Sequence, residues 1–219
     1  MNAPNPPDRC RLVLIAPEGA SVAEFPAALS AALSGGDVAS VILPQYGADE
    51  ASFQALAERA VGIAQEHGAA AIVAGDTRVA GRVHADGLHV EGSKAEVAEA
   101  IERLQGRMIV GADAGKTRDD ALEIGEERPD YVFFGRFGYD RTPEPHSRNL
   151  TLGRWWAEMI EVPCIVLGGS DVASVEAVAA TGAEFVALSA AVFSPDVDPR
   201  RAVAEANEIL DRTAPRLGN

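Results

Sequence analysis

The chain is poor in cations, aromatics and cysteine, and each shortage closes off a class of function. Its 219 residues carry 19 Lys and Arg against 33 Asp and Glu, a formal net charge of −14. A field of that sign repels phosphodiester backbones and anionic lipid headgroups, so neither nucleic acid nor a membrane is an expected partner. A small anionic ligand would need a local cationic pocket that overrides the global field. The acidic surface otherwise serves solubility. Only two cysteines occur, Cys10 and Cys164, with no CxxC pair, so neither a disulfide framework nor a thiolate metal centre is encoded. The four histidines show no metal-ligand spacing. No apolar run is long enough to span a bilayer. The Pro/Asn-rich residues 1–8 lack a basic-then-apolar signal pattern, and a cytoplasmic location is expected.

Aromatics are only 5% of the chain while hydrophobic residues are 47%, so Ala, Val, Ile and Leu must fill the core. That composition suits a parallel sheet covered by helices. The pattern along the chain agrees. Short apolar runs predict strands over Arg11–Ala16, Val38–Leu43, Ala70–Ala74, Gly87–Val90, Met108–Ala112, Tyr131–Gly135, Cys164–Gly168 and Phe185–Ser189. Between them, amphipathic stretches predict helices over Val22–Leu33, Ala51–His67, Thr77–His84, Lys94–Leu104, Thr117–Glu126, Thr151–Ile160, Val172–Ala180 and Pro199–Thr213. Eight alternating pairs imply an α/β fold, a single-domain (β/α)8 TIM barrel. A doubly wound open sheet is the alternative, but the turn after the first strand, Pro17-Glu18-Gly19-Ala20, is not a Gly-x-Gly-x-x-Gly turn. The barrel is expected over residues 11–213, with 1–10 an extended or disordered arm and 214–219 a tail.

Local signals support these boundaries. Ser93 and Thr117 are candidate N-caps, and Gly68 and Gly182 candidate C-terminal glycines. Asp86, Asp130 and Glu184 each stand just before an even-numbered strand, at the face of a barrel associated with stability rather than catalysis. The irregular stretch from Phe137 to Asn149 follows the sixth strand and reads as a lid or a ligand loop, or else as a tolerated insertion. Trp155 and Trp156 are adjacent and cannot share one helical face. One of them is left for a subunit contact, such as a homodimer, or a lid prop, with ordinary core packing as the alternative.

The segments Leu167-Gly168-Gly169-Ser170 and Ala187-Leu188-Ser189-Ala190 close the last two strands. Small residues there let backbone N–H groups approach a ligand, and the last two strand ends of a β/α barrel commonly hold a phosphate. Gly168, Gly169, Ser189 and Ala190 are therefore candidate phosphate-binding residues.

Taken together, Ala85-Asp86-Gly87-Leu88-His89-Val90, Val110-Gly111-Ala112-Asp113-Ala114, Tyr131-Val132-Phe133-Phe134-Gly135, Val166-Leu167-Gly168-Gly169 and the run from Gly182 to Ala190 resemble the thiamine phosphate synthase/TenI family, over about Gly35 to Pro195. The resemblance implies a barrel whose top face binds a thiazole phosphate. In the synthases a pyrimidine diphosphate ionises, pyrophosphate leaves with Mg²⁺, and the thiazole nitrogen attacks. That chemistry needs carboxylates for the metal, cations for the leaving group and a phosphate cradle. The cradle carries over. The family's Gln-x-Arg-x-Lys pattern becomes Val41-Ile42-Leu43-Pro44-Gln45, and its Asn-Asp becomes Ala74-Gly75, with Asp76 one place later. Its Gly-Gln-Glu-Asp becomes Glu91-Gly92-Ser93-Lys94, a lysine in the acid's place, and its Thr-x-Thr-Lys is unrecognisable in Tyr139-Asp140-Arg141-Thr142-Pro143. Mg²⁺ binding would require Asp76 and Glu91 to substitute for the missing carboxylates. The TenI branch, a thiazole tautomerase, uses a histidine whose place falls near Gly115 here.

Other residue types suggest chemistry at the barrel mouth. Lys116, Arg136 and Arg141 could form a second anion site, or stand as solvated charges paired with the abundant acids. Asp113 could act as a base or as a helix N-cap, and Asp76 could touch ligand or cap the third helix. His89, within the fourth strand, could shuttle a proton from inside the barrel or be a satisfied core residue. His146 could close over a ligand from the loop. The sequence thus points to a thiamine-phosphate-synthase-like protein binding a small phosphorylated molecule. A metal-independent isomerase and a non-catalytic phosphate-ligand binder are the rivals.

Overall fold

The computed structural model describes residues 7–217. Eight parallel strands close on themselves in chain order: β1 (Arg11–Ile15), β2 (Ser40–Pro44), β3 (Ala70–Ala74), β4 (Gly87–Val90), β5 (Ile109–Asp113), β6 (Tyr131–Phe134), β7 (Cys164–Leu167) and β8 (Phe185–Leu188). Leu12 pairs with Val186 and Leu14 with Leu188, which closes β8 onto β1. The helices are α1 (Phe25–Leu33), α2 (Glu50–Glu66), α3 (Thr77–Arg82), α4 (Lys94–Leu104), α5 (Arg118–Gly125), α6 (Ser147–Met159), α7 (Ser174–Ala179), α8 (Ala190–Phe193) and α9 (Pro199–Thr213). The expected single-domain TIM barrel is the observed fold.

Alternation along each strand sorts side chains into two cores. Val13, Ile15, Ile42, Ile72, Phe133, Ile165, Leu167 and Ala187 fill the barrel interior as one cluster. Their chain neighbours Leu12, Leu14, Val41, Val73, Val132, Val166 and Val186 pack outward with the helices. A one-residue slip in any strand would exchange the two sets, so the register is strongly specified.

The caps explain where several helices start. Ser93 with Glu96, and Thr117 with Asp120, form reciprocal capping boxes on α4 and α5. Gly68 and Gly182 adopt φ of 77° and 87°, the left-handed conformation that glycine reaches without a Cβ clash. Two expectations need correction. The sixth helix begins at Ser147 rather than Thr151, because the His146 side chain accepts a hydrogen bond from the Arg148 amide and caps it. The four-residue α8 had no signal, since it is too short to show a period. Trp156 is fully buried, its indole donating to the Val162 carbonyl at 2.7 Å, while Trp155 is half-buried under the Arg118 guanidinium.

Residues 1–6 of the expected arm, and 218–219 of the tail, lie outside the described residues. Arg9 and Cys10 are buried. Arg9 reaches Asp211 at 2.7 Å and Asn207 at 3.0 Å, which ties the chain entering β1 to α9.

The acids before the even strands share one task. Asp86 accepts a hydrogen bond from the Ala71 amide at 2.8 Å, Asp130 from Val110 at 2.7 Å and Glu184 from Cys164 at 2.9 Å. Asp37, before β2, instead holds the Arg11 guanidinium with both oxygens. Each acid thus fastens the start of the preceding odd strand, where an amide or a guanidinium would otherwise lack a partner. Asp86→Ala strands the partly buried Ala71 amide and should cost about 1–2 kcal/mol in urea unfolding. Asp119→Ala, on exposed helix surface, should stay within about 0.5 kcal/mol. Equal losses for the two variants would show that the carboxylate does not fasten the strand.

Candidate functional site

The strand ends at the C-terminal face open on two cavities. The larger, about 1310 Å³, is bordered by Gln45, Tyr46, Glu91, Asp113, Lys116, Arg136 and His146. The smaller is bordered by Glu18, Asp140, Ser170, Ser189 and Ala190. Glu18 and Arg141 border both, and residues between β6 and α6 line each side, Arg136, Phe137 and Tyr139 the larger and Gly138 and Asp140 the smaller. Lys116 and Arg136 border only the larger cavity, Ser189 and Ala190 only the smaller, and Gly168 and Gly169 lie behind the corner and border neither.

Asp113 ends β5 and borders the larger cavity. Its Oδ1 lies 3.1 Å from Nε2 of His89, and Nδ1 of His89 lies 3.0 Å from the Tyr131 hydroxyl. A carboxylate only accepts, so Nε2 carries the proton and donates to Asp113. Nδ1 is then the lone-pair side, and Tyr131 donates to it. Burial, reinforced by the charges of Asp113 and Asp130, pushes the Tyr131 phenol well above its ordinary value, so it keeps its proton. The His89 side chain is 0% exposed while that of Asp113 is 36% exposed. Asp113 can meet a guest. His89 stands behind it as a positioning residue. Gly111 permits the arrangement, because a Cβ there would overlap the Tyr131 ring.

Glu91 follows β4 by one residue. His89 pairs with Gly111 and Val90 with Ala112, so Glu91 stands level with Asp113 at the rim. Partial desolvation first, and the Asp113 charge second, raise the Glu91 carboxyl above its ordinary value, while His89 and Arg136 oppose the shift.

The phosphate-binding candidates are already engaged within the chain. Gly168 and Gly169 are buried; the Gly169 amide donates to Ser174 Oγ, and that of Gly168 to the Ala187 carbonyl. The Ala190 amide donates to Asp140 Oδ2 at 2.6 Å. Ser189 is buried. Among the cations, Arg136 stacks on the exposed Tyr139 ring at 4.1 Å, and Arg141 donates to the Gly138 carbonyl. Lys116 is exposed on the rim. Tyr131 was legible as the start of a strand but not as a partner of His89, and Asp140 carried no periodic or spacing signal. The charge of Asp140 alone, in a loop, gave no hint that it would be buried.

A family model described as thiamine monophosphate synthase matches residues 12–192. The chain belongs to the thiamine monophosphate synthase (TMP-TENI) family. It is 34% identical over 202 residues to a thiamine-phosphate synthase of Rhodospirillum centenum (strain ATCC 51521 / SW), covering 92% of this chain and 98% of that one. It is 31% identical over 215 residues to one of Hyphomonas neptunium (strain ATCC 15444), covering 95% and 97%. A solved thiamine phosphate pyrophosphorylase from Pyrococcus furiosus superposes with a TM-score of 0.77 at 22% identity, covering 94% of this chain and 98% of that one. That last likeness is one of fold.

The Mg²⁺ implied by the family resemblance finds no matching donor set. Among the described residues no group of three or more His, Cys, Asp or Glu could hold a metal ion. Asp76 caps α3 and binds the Arg78 guanidinium with both oxygens, which holds its carboxyl down at about 2. It does not join Glu91. Lys94 turns away to Glu126 at 2.6 Å.

The raised carboxyl of Glu91 has a direct consequence for stability. An acid whose folded value lies above its unfolded value favours the native state at low pH, and that contribution is lost as pH rises through the folded value. Glu91→Gln should therefore gain in Tm relative to the parent as pH rises from 4 to 8. A pH-independent difference between the two melting curves would rule out the strained carboxyl.

Proposed function

We propose that this family member binds a small phosphorylated molecule of the thiazole phosphate or thiamine phosphate class at the C-terminal mouth of the barrel. The phosphate would sit at the β7/β8 corner of Gly168, Gly169, Ser189 and Ala190. Arg141, which borders both cavities, would bring positive charge near that corner, and with Arg136 and Lys116 would form a second anion site at the larger cavity. Support comes from family membership and from the mouth itself, which opens beside that corner. Mg²⁺-dependent synthase turnover is not expected, because Asp76 is tied to Arg78 and Lys94 stands where the resemblance implies a metal-binding acid.

One observation favours a second reading, metal-independent proton transfer of the TenI type. The Tyr131–His89–Asp113 chain presents a single oriented carboxylate to the larger cavity. His89 fixes Asp113 through a directed N–H bond, and Tyr131 fixes the His89 tautomer. Asp113 would then take a proton from a bound heterocycle and return it to another atom of the same molecule.

A thermal-shift series with inorganic phosphate, thiazole phosphate and thiamine phosphate tests the binding reading. Stabilisation should grow with ligand concentration, reaching about 2.7 kcal/mol at a hundred times Kd. Ser170→Glu, which sets a carboxylate at the rim of the corner without a backbone clash, should abolish it; shifts left intact in that variant would refute the assignment. Pyrophosphate release from the pyrimidine diphosphate and thiazole phosphate should stay at background with or without Mg²⁺. If tautomerisation is observed, Asp113→Asn should slow it by about 10²–10⁴-fold.

A further inference from the structure

The residues joining β6 to α6 do not merely overhang the β7/β8 corner; they bond to it. The Ser170 amide donates to the Thr142 carbonyl at 2.7 Å, and the Asp171 amide to the Pro143 carbonyl at 3.4 Å. Gly169 lets the loop lie this close, since a Cβ there would overlap the Pro143 carbonyl. The fourth contact differs in kind. Asp140 is only 5% exposed, and its Oδ2 accepts the Ala190 amide at 2.6 Å, a short charge-assisted bond. A buried carboxylate is costly unless it is paired. No salt bridge reaches it among the described residues, so this amide is the partner that holds it in place.

We propose that Asp140 is an internal anion that latches the β6–α6 loop onto the β7/β8 corner, and that a phosphate group enters there only by displacing it. The inference rests on the phosphate-ligand reading above and adds how that site is controlled. An oxyanion arriving beside the resident carboxylate would meet a like charge, and would find the Ala190 amide taken by Asp140 and the Ser170 amide taken by the Thr142 carbonyl. Departure of Asp140 frees the Ala190 amide at once, and the Ser170 amide as the unlatched loop withdraws. The wall between the two chambers moves with it, because Asp140 and Arg141 stand side by side in that wall. A displaced latch would join the corner to the cavity that holds Asp113, so one ligand could place its phosphate in the first and its reacting ring in the second. In the latched form the two chambers stay separate and the corner rejects anions.

Two variants of the full chain separate charge from closure. Asp140→Asn keeps the shape and can still accept from Ala190 but removes the charge. Asp140→Gly removes the latch. By ³¹P NMR titration, both should bind inorganic phosphate and thiamine phosphate at least tenfold more tightly than the parent. By hydrogen exchange, the Ala190 and Ser170 amides of folded Asp140→Gly should exchange at least tenfold faster, while core amides of β1 keep their protection. Unchanged exchange at Ala190 and Ser170 overturns the latch, whatever the phosphate affinity. Faster exchange with no phosphate binding in any of the three proteins overturns the phosphate-ligand reading, and displacement by phosphate falls with it. Equal phosphate affinity in all three, with binding present, leaves the reading standing and overturns the role of Asp140.

Discussion

Closure of the parallel ladder governs everything else in this molecule. Because β8 pairs with β1 in a fixed register, inward and outward positions are decided all round the ring at once. No strand can shift to relieve a bad contact without exchanging its apolar face for its other face. That rigidity brings His89, Tyr131 and Asp113, from three successive strands, into one hydrogen-bonded line. It also sets Glu91 level with Asp113 at the rim. A flexible scaffold would let these groups drift apart; here their separation is a property of the sheet.

The start of the ladder is secured as carefully as its end is left free. Four acids, Asp37, Asp86, Asp130 and Glu184, stand before the four even strands and fasten the odd strand that precedes each. The repeat follows the geometry of paired β/α units, in which one acidic side chain can reach back across a single strand. At the opposite rim the acids take another part. Asp76 caps a helix, Glu91 stands under strain beside Asp113, and Asp140 fills a corner. A protein with this excess of negative charge must place its carboxylates somewhere, and amides at strand and helix ends are the sites that accept them.

Much of this was legible in the chain. The alternation of apolar runs and amphipathic stretches gave eight strands close to their observed limits. Ser93, Thr117, Gly68 and Gly182 marked helix ends by chemistry that acts over three or four residues. The early start of α6 escaped because its cap is a histidine, and α8 because four residues hold no period. The family motifs were visible too, with Lys94 standing where the resemblance implies an acid. The candidate residues at the mouth could be named, but not sorted into chambers. Arg136 and Ser189, expected at separate anion sites, border different cavities, with residues of the β6–α6 segment lining both.

The sequence by itself determined the barrel, because side-chain periodicity is local and each β/α unit repeats the same instruction. It also determined which carboxylates and cations follow the strand ends, among them Glu91, Asp113, Lys116 and Arg136. Only the tertiary structure decided which carboxylate is exposed, which is held by histidine and which is buried against an amide. Those outcomes depend on contacts between residues as distant in the chain as Asp140 and Ala190. Electrostatic energy depends on distance and burial, and neither is written in the order of residues along a chain.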